Sequence, residues 1–428
     1  MIFVSQACAF MLQLESHPAS MLHDCTRTAR FAPTILIAIL CVVLLGGIAY
    51  SIRLGPGVRF LPDEQDYLVL ARNLVSGNGY TLDGKIPTAF RAPGAAFLYG
   101  LVANTAQPVV LARVLNFMCL LATAAISFGL VRRMAGTIAG LVAAGISAFY
   151  PLAFFTAGTL YPQTLGGLFL ISAIALWFTG KSRSTVALAG ACAGLATLTV
   201  PTLLPSIAIA VVSDAIIARE RTRLLWIDVA LALLCTMLVV LPWTVRNRVE
   251  LGEWVTVATN GGFNLLLGNS ENTTPNAGVN VDINRYVIQV QTLGEVAQDR
   301  AYTRFAIAWV TQHPAQAIQL YIQKWLNHFN YTNALATSSE ASGLRDLVSA
   351  ITYYPLLVLA VVGVGLSRRL GYSRVEIVLW LVYLSGAFLS AIFFTRLRFR
   401  LPYDYVIIVL AIVTLSRILP ALLAWKNK

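Results

Sequence analysis

Three acids crowd the stretch Pro62-Asp63-Glu64-Gln65-Asp66-Tyr67. A carboxylate in such a group can take a proton from an attacking hydroxyl, and several together could hold a hard divalent cation through oxygen. The same acids suit the first turn of a surface helix, with Asp63 as N-cap and Glu64 and Asp66 favoured by the helix dipole. The residues alone leave these alternatives open. A basic group lies far along the chain, in Thr395-Arg396-Leu397-Arg398-Phe399-Arg400-Leu401-Pro402. Three arginines at alternating positions beside an apolar run would suit a phosphate at a membrane surface, or would snorkel to lipid headgroups. Arg91, in Phe90-Arg91-Ala92-Pro93-Gly94, is a further cation of this kind, and Arg246 and Arg248 add positive charge. The polar run around Asn260, Asn264 and Asn269 has amides that match sugar hydroxyls and glycines that admit close backbone approach. It reads equally as a turn-rich loop. His313 and His328 are most simply packing residues, so no metal ligand is assigned.

The elements that must position these groups follow from composition. Of 428 residues, 57% are hydrophobic and only 12% charged, against about a quarter charged in soluble domains. That excludes a soluble enzyme, a disordered chain and a disulfide-stapled module, and leaves an all-α polytopic membrane protein. Apolar runs fall at 33–54, 109–131, 135–153, 160–179, 185–201, 203–218, 224–245, 349–367, 375–395 and 402–424, which predicts about ten transmembrane helices. Their centres read as free of charge. Only Pro201 and Thr202 separate 185–201 from 203–218. None of Cys8, Cys25, Cys41, Cys119, Cys192 and Cys235 reads as part of a bridge or a zinc site.

The net charge of +12 punctuates apolar stretches, as cytoplasmic loops do, and does not form a face for nucleic acid. Arg132, Arg133, Lys181, Arg183, Arg219, Arg221, Arg223, Arg368, Arg369, Arg374, Lys426 and Lys428 fall on one side. The short loops of the other side hold only Arg396, Arg398 and Arg400. This asymmetry predicts a bacterial-type inner-membrane protein with both termini cytoplasmic. The chain then divides into a tail, 1–32, a membrane region, 33–245, with a first extracytoplasmic loop at 55–108, an extracytoplasmic segment, 246–348, and a C-terminal membrane region, 349–428. Within the loops, 63–76 reads as an amphipathic surface helix, 295–329 as two helices broken at His313-Pro314, and 258–283 as loop.

PDExxY after the first apolar run, followed by GxGY at 77–80 and FRAPG at 90–94, resembles the first extracytoplasmic loop of GT-C fold membrane glycosyltransferases. The resemblance is to glycosyltransferase family 39, with its protein mannosyltransferases, and to the bacterial aminoarabinose transferases. PWTVRN (242–247), TNGGFNLLLGN (259–269), QHP (312–314) and RFRLP (398–402) extend it in order over nearly the whole chain from residue 33. It implies transfer of a sugar from a polyprenyl-phosphate carrier to an extracytoplasmic acceptor with inversion. Asp63 would then be the catalytic base and Glu64 an acceptor-orienting group or the base itself. Arg91, Arg396, Arg398 and Arg400 would hold the donor phosphate. Tyr67, Asn260, Asn264 and Asn269 would line the acceptor or sugar pocket. A flippase for lipid-linked sugar would need polar residues through the spans and usually a repeat, and neither is read here. A non-catalytic scaffold is opposed by the Asp63 and arginine groups.

Overall fold

The computed structural model describes residues 19–180, 182–218, 222–276, 278, 280–332 and 343–426. The start of the tail (1–18) and the loop cations Lys181, Arg219, Arg221 and Lys428 lie outside the described residues. Apart from one isolated bridge between Thr81 and Pro87, the described secondary structure is helical.

Each apolar run becomes helix: α1 (Ala19–Leu54), α4 (Pro108–Ala135), the pair α5 (Thr137–Phe149) and α6 (Pro151–Ala157), α7 (Gln163–Thr179), α8 (Arg183–Thr199), α9 (Leu203–Ile217), α10 (Thr222–Leu251), α15 (Gly343–Gly365), α17 (Arg374–Ile392) and α18 (Leu397–Lys426). Six of these are long and apolar enough to cross a membrane, or seven if α5–α6, bent by 50° at Pro151, count as one span. The helices α7, α8 and α9 have 17, 17 and 15 residues. They are shorter than the roughly 20 residues a 30 Å hydrocarbon core requires. Pro201 ends α8 rather than kinking a longer helix, because α9 starts anew at Leu203.

In a bilayer the helices with least protein around them face lipid. α1, α10 and α15 bury only 17–22% of their most apolar stretch, whereas α18 buries 78%. α18 is therefore the central element, packed on α4, α5, α7, α15 and α17. Small residues allow close packing elsewhere: a Cβ on Gly190 would meet the Ala232 carbonyl, and one on Gly194 would meet Val239. Both glycines lie where α8 crosses α10.

The spans are not free of charge, which corrects the expectation from the apolar runs. Arg113, Asp214, Glu376, Arg400 and Asp404 are all buried. They are admissible because each is paired. Arg400 Nε meets Asp404 at 2.9 Å, Arg417 meets Glu376 at 2.8 Å, and Arg374 meets Asp214 at 3.0 Å. Arg113 donates to the carbonyls of Gly55 and Gly57, both at 2.7 Å. Hydropathy averaged over a window conceals such pairs, so the lack of intramembrane charge no longer argues against a transporter.

Between the spans lie the smaller helices α2 (Asp63–Val75), α3 (Pro93–Gly100), α11 (Gly261–Gly268), α12 (Asn284–Val290), α13 (Glu295–Gln312) and α14 (Pro314–Asn327), with α16 (Ser367–Leu370) at the other end. The helix expected over 63–76 forms as α2, and the break at His313-Pro314 matches expectation. The stretch 258–283 does not, since α11 forms inside it. Its glycines serve packing: a Cβ on Gly262 would strike the Asp299 carbonyl, and one on Gly268 the Phe393 carbonyl.

Candidate active site

Asp63 is the first residue of α2. The N-cap position falls on Pro62, with no side-chain cap bond, so the carboxylate is not used as a cap. It turns instead to two arginines. Oδ1 accepts from Arg91 Nη2 at 2.7 Å and Oδ2 from Arg398 Nη2 at 3.0 Å. Arg91 is shared with Asp66, whose Oδ2 accepts from Nη2 at 2.8 Å and Nε at 3.1 Å. Asp66, read from sequence as a plain surface acid, is thus part of the cluster. Two carboxylates and two guanidinium groups balance in charge, and each keeps 14–23% of its side chain exposed. Burial by itself would lower the pKa of the Arg91 guanidinium, but Asp63, Tyr67 and Asp66 together outweigh it and hold it above its usual value.

Tyr161 was not singled out in the sequence. Its ring lies 3.9 Å from the Arg398 guanidinium and stacks on Phe60. Burial pushes its hydroxyl, like that of the buried Tyr67, up to about 12, so both stay protonated at neutral pH. Tyr161 sits in the short connection between α6 and α7, which the apolar window absorbed into a span.

Two buried charges fix the approach to Asp63. Arg113 grips Gly55 and Gly57 at the exit of α1. Glu64 is fully buried, accepting the backbone amides of Arg59 at 2.6 Å, Phe60 at 3.2 Å and Leu160 at 2.9 Å. Glu64 therefore has no oxygen facing the cluster and is a structural anchor, not a second acid there. For the same reason the three neighbouring carboxylates do not converge on a cation. Among the described residues no three His, Cys, Asp or Glu side chains gather as a metal site.

The loop carrying Arg91 is held from the far side. Glu295, at the start of α13, accepts from the Thr88 and Thr259 hydroxyls and the Ala89 amide. Arg246 donates to the carbonyls of Thr88 at 2.7 Å and Tyr80 at 3.2 Å. The Tyr80 hydroxyl donates to the Arg91 carbonyl at 3.0 Å. Sequence reading missed Glu295 and gave Arg246 only a general positive charge; their partner Thr88 is over 150 residues away from each.

Of the three alternating arginines only Arg398 reaches Asp63. Spacing of two brings side chains together on an extended strand, but here the chain turns into α18, which separates them. Arg396 packs on the loop of Gly278 and Asn280. Arg400 is fully buried, bound to Asp404, the His328 carbonyl at 3.2 Å and the Asn330 carbonyl. It is placed to hold the fold, not a phosphate at the surface. Asn269 is also buried, donating to the carbonyls of Leu265 and Ile392, both at 2.8 Å, and accepting from Lys324. Asn260 and Asn264 are half-buried at the start of α11. They lie beside Thr259, whose amide donates to the Ala89 carbonyl at 3.0 Å.

No family model matches the chain, and a search of curated proteins gives no match. Solved structures do match. The archaeal oligosaccharyltransferase AglB from Archaeoglobus fulgidus, in complex with an inhibitory peptide and a dolichol-phosphate, is 13% identical over 93% of this chain and 52% of its own, with a TM-score of 0.52. Its apo form is 12% identical over 92% and 51%, with a TM-score of 0.52. ArnT from Cupriavidus metallidurans, bound to undecaprenyl phosphate, is 14% identical over 91% and 78%, with a TM-score of 0.42. The chain spans about half the length of AglB. The likeness to AglB, with the apolar spans, defines a class by fold: a multi-pass, all-α membrane protein of GT-C architecture.

Proposed function

We propose that this protein is a membrane glycosyltransferase that moves a sugar from a polyprenyl-phosphate donor to an acceptor hydroxyl at the extracytoplasmic face. The observation that carries the reading is Asp63 held between Arg91 and Arg398. A carboxylate beside two phosphate-binding groups is what such a transfer needs. The dolichol-phosphate of AglB is a ligand of the required chemistry on a similar fold.

In the proposed reaction the donor phosphate draws the guanidinium groups of Arg91 and Arg398 to itself, leaving the Asp63 oxygens to the acceptor. The acceptor oxygen attacks the anomeric carbon from the face opposite the phosphate while its proton passes to Asp63. The bond from the anomeric carbon to the phosphate oxygen breaks, the electron pair leaves with the lipid phosphate, and the arginines stabilise its growing charge. The anomeric centre inverts. Asn260 and Asn264, on the rim beside the Arg91 loop, offer amides to sugar hydroxyls. Purified protein in lipid, supplied with radiolabelled polyprenyl-phosphate sugar and an envelope lipid extract, should yield labelled product of inverted configuration. Translocation of intact donor without transfer would overturn the reading in favour of a flippase.

A further inference from the structure

A cavity of about 630 Å³ lies on the other side of the Arg91 loop from Asp63. Its lower wall is apolar: Leu198 at the end of α8, Val239 and Trp243 on α10, and Phe97 on α3. That wall continues into residues that face outward along the same helices, Leu195 on α8 and Leu238 and Leu241 on α10, which are 38%, 57% and 50% exposed. On a membrane span such a surface meets acyl chains. The upper wall is polar, with Lys85, Arg246 and Glu250. Two cations therefore face one carboxylate, and neither cation forms an ion pair among the described residues. The nearby Asp83 carboxylate is turned onto the amides of Lys85 and Ile86, at 2.9 and 2.8 Å. Arg246 is held rigidly, bonded to the Thr88 and Tyr80 carbonyls and stacked 5.0 Å from the Trp243 ring centre. Glu250 and Glu295 attract this guanidinium without forming an ion pair with it, so it stays fixed at an apolar-to-polar boundary, preorganised for an anion.

We propose that this cavity is a lipid site, separate from the Asp63 cluster, for a membrane amphiphile whose head carries a phosphate or carboxylate. The head lies against Arg246 and Lys85, and the chain runs down the groove below Phe97 and Trp243. Two sources have this chemistry: an anionic phospholipid held as a fixed ligand, and a lipid acceptor for the proposed transfer. Only the second rests on the function proposed above.

The test uses the full chain in nanodiscs of phosphatidylcholine with a minor fraction of phosphatidylglycerol. A photoreactive phenylalanine analogue replaces Phe97 in one preparation and Met237, a lipid-facing residue deeper on α10, in another. Phosphatidylglycerol should be captured at position 97 roughly five-fold above its capture at position 237, the expected preference for one cation near an anionic head. Lys85→Glu, at an exposed position, should abolish the enrichment. Equal capture at both positions, or enrichment indifferent to Lys85→Glu, overturns the proposal. The sources separate when co-purified envelope lipid and sugar donor are added. An acceptor captured at position 97 gains the mass of one glycosyl unit, whereas a fixed phospholipid is captured unchanged. Failure of the transfer reading would leave the enrichment intact without any mass gain.

Discussion

Asp63 and Arg398 are 335 positions apart in the chain, and their side chains meet at 3.0 Å. The contact joins the first loop to the start of the central helix α18. In the proposed reaction it also makes the carboxylate and the donor phosphate competitors for one guanidinium.

That competition gives an unusual expectation for Asp63→Asn. Transfer should fall by about 100-fold or more, the usual contribution of a general base. Donor affinity should rise, because the arginines no longer have an internal anion to release. Melting should change little, since Asp63 makes no cap bond. Isothermal titration with the polyprenyl-phosphate lipid, beside a turnover assay, checks all three. Weaker donor binding would refute the competition.

Arg398→Gln and Arg400→Gln should fail in different assays. The first removes a charge proposed to hold the donor phosphate and should lower turnover with nearly normal melting. The second strands Asp404, itself almost wholly buried, and breaking a buried pair costs about 3–5 kcal/mol. Thermal melting in detergent should therefore single out Arg400→Gln.

Glu64→Gln replaces one acceptor oxygen by a donor facing backbone amides. The expected loss is about 1–3 kcal/mol of stability, read as a lower melting temperature. If Glu64→Gln instead melts normally and abolishes transfer, the base is Glu64.

His328 supplies a pH dependence. Burial, reinforced by Arg400, pushes its pKa from 6.5 down to about 3. Between these values the unfolded chain binds a proton that the folded chain refuses, so stability rises with pH across that window and is lost on acidification. The slope from this group is about 1.4 kcal/mol per pH unit near pH 5. Denaturant melts from pH 4 to 7 should show it, and His328→Gln should flatten it.

Membrane orientation is checked by single cysteines in a background without native ones. Asn276→Cys should react with an impermeant reagent from the extracytoplasmic side, and Ser182→Cys should not, both positions being exposed. The opposite labelling would reverse the charge-based topology.

Much of this arrangement was legible in the chain. Asp63, Arg91 and Arg398 each lie in a short motif at a membrane edge, so their types and positions pointed to phosphate and proton chemistry. Alternation misled where the local geometry was helical, which is why Arg396 and Arg400 part from Arg398. Glu64 stands next to Asp63 yet faces the opposite way, because its partners, Arg59, Phe60 and Leu160, exist only once the chain is folded. Tyr161 and Glu295 left no signal, since each acts through a partner remote in sequence. The paired charges inside the spans were lost for another reason: a hydropathy window weighs a charge without knowing whether it is neutralised.

Tyr80 is part of the cavity wall, and its hydroxyl donates to the carbonyl of Arg91. One side chain thus links the cavity to the loop that carries Arg91. An occupant that displaces Tyr80 must move the backbone of Arg91, and an anion that repositions Arg91 must pull on Tyr80. By thermodynamic reciprocity, whatever factor the first ligand imposes on the affinity of the second, the second imposes on the first. Tyr80→Phe cuts this linkage while leaving the ring in place, and should let the cavity and the Arg91 site bind their ligands independently.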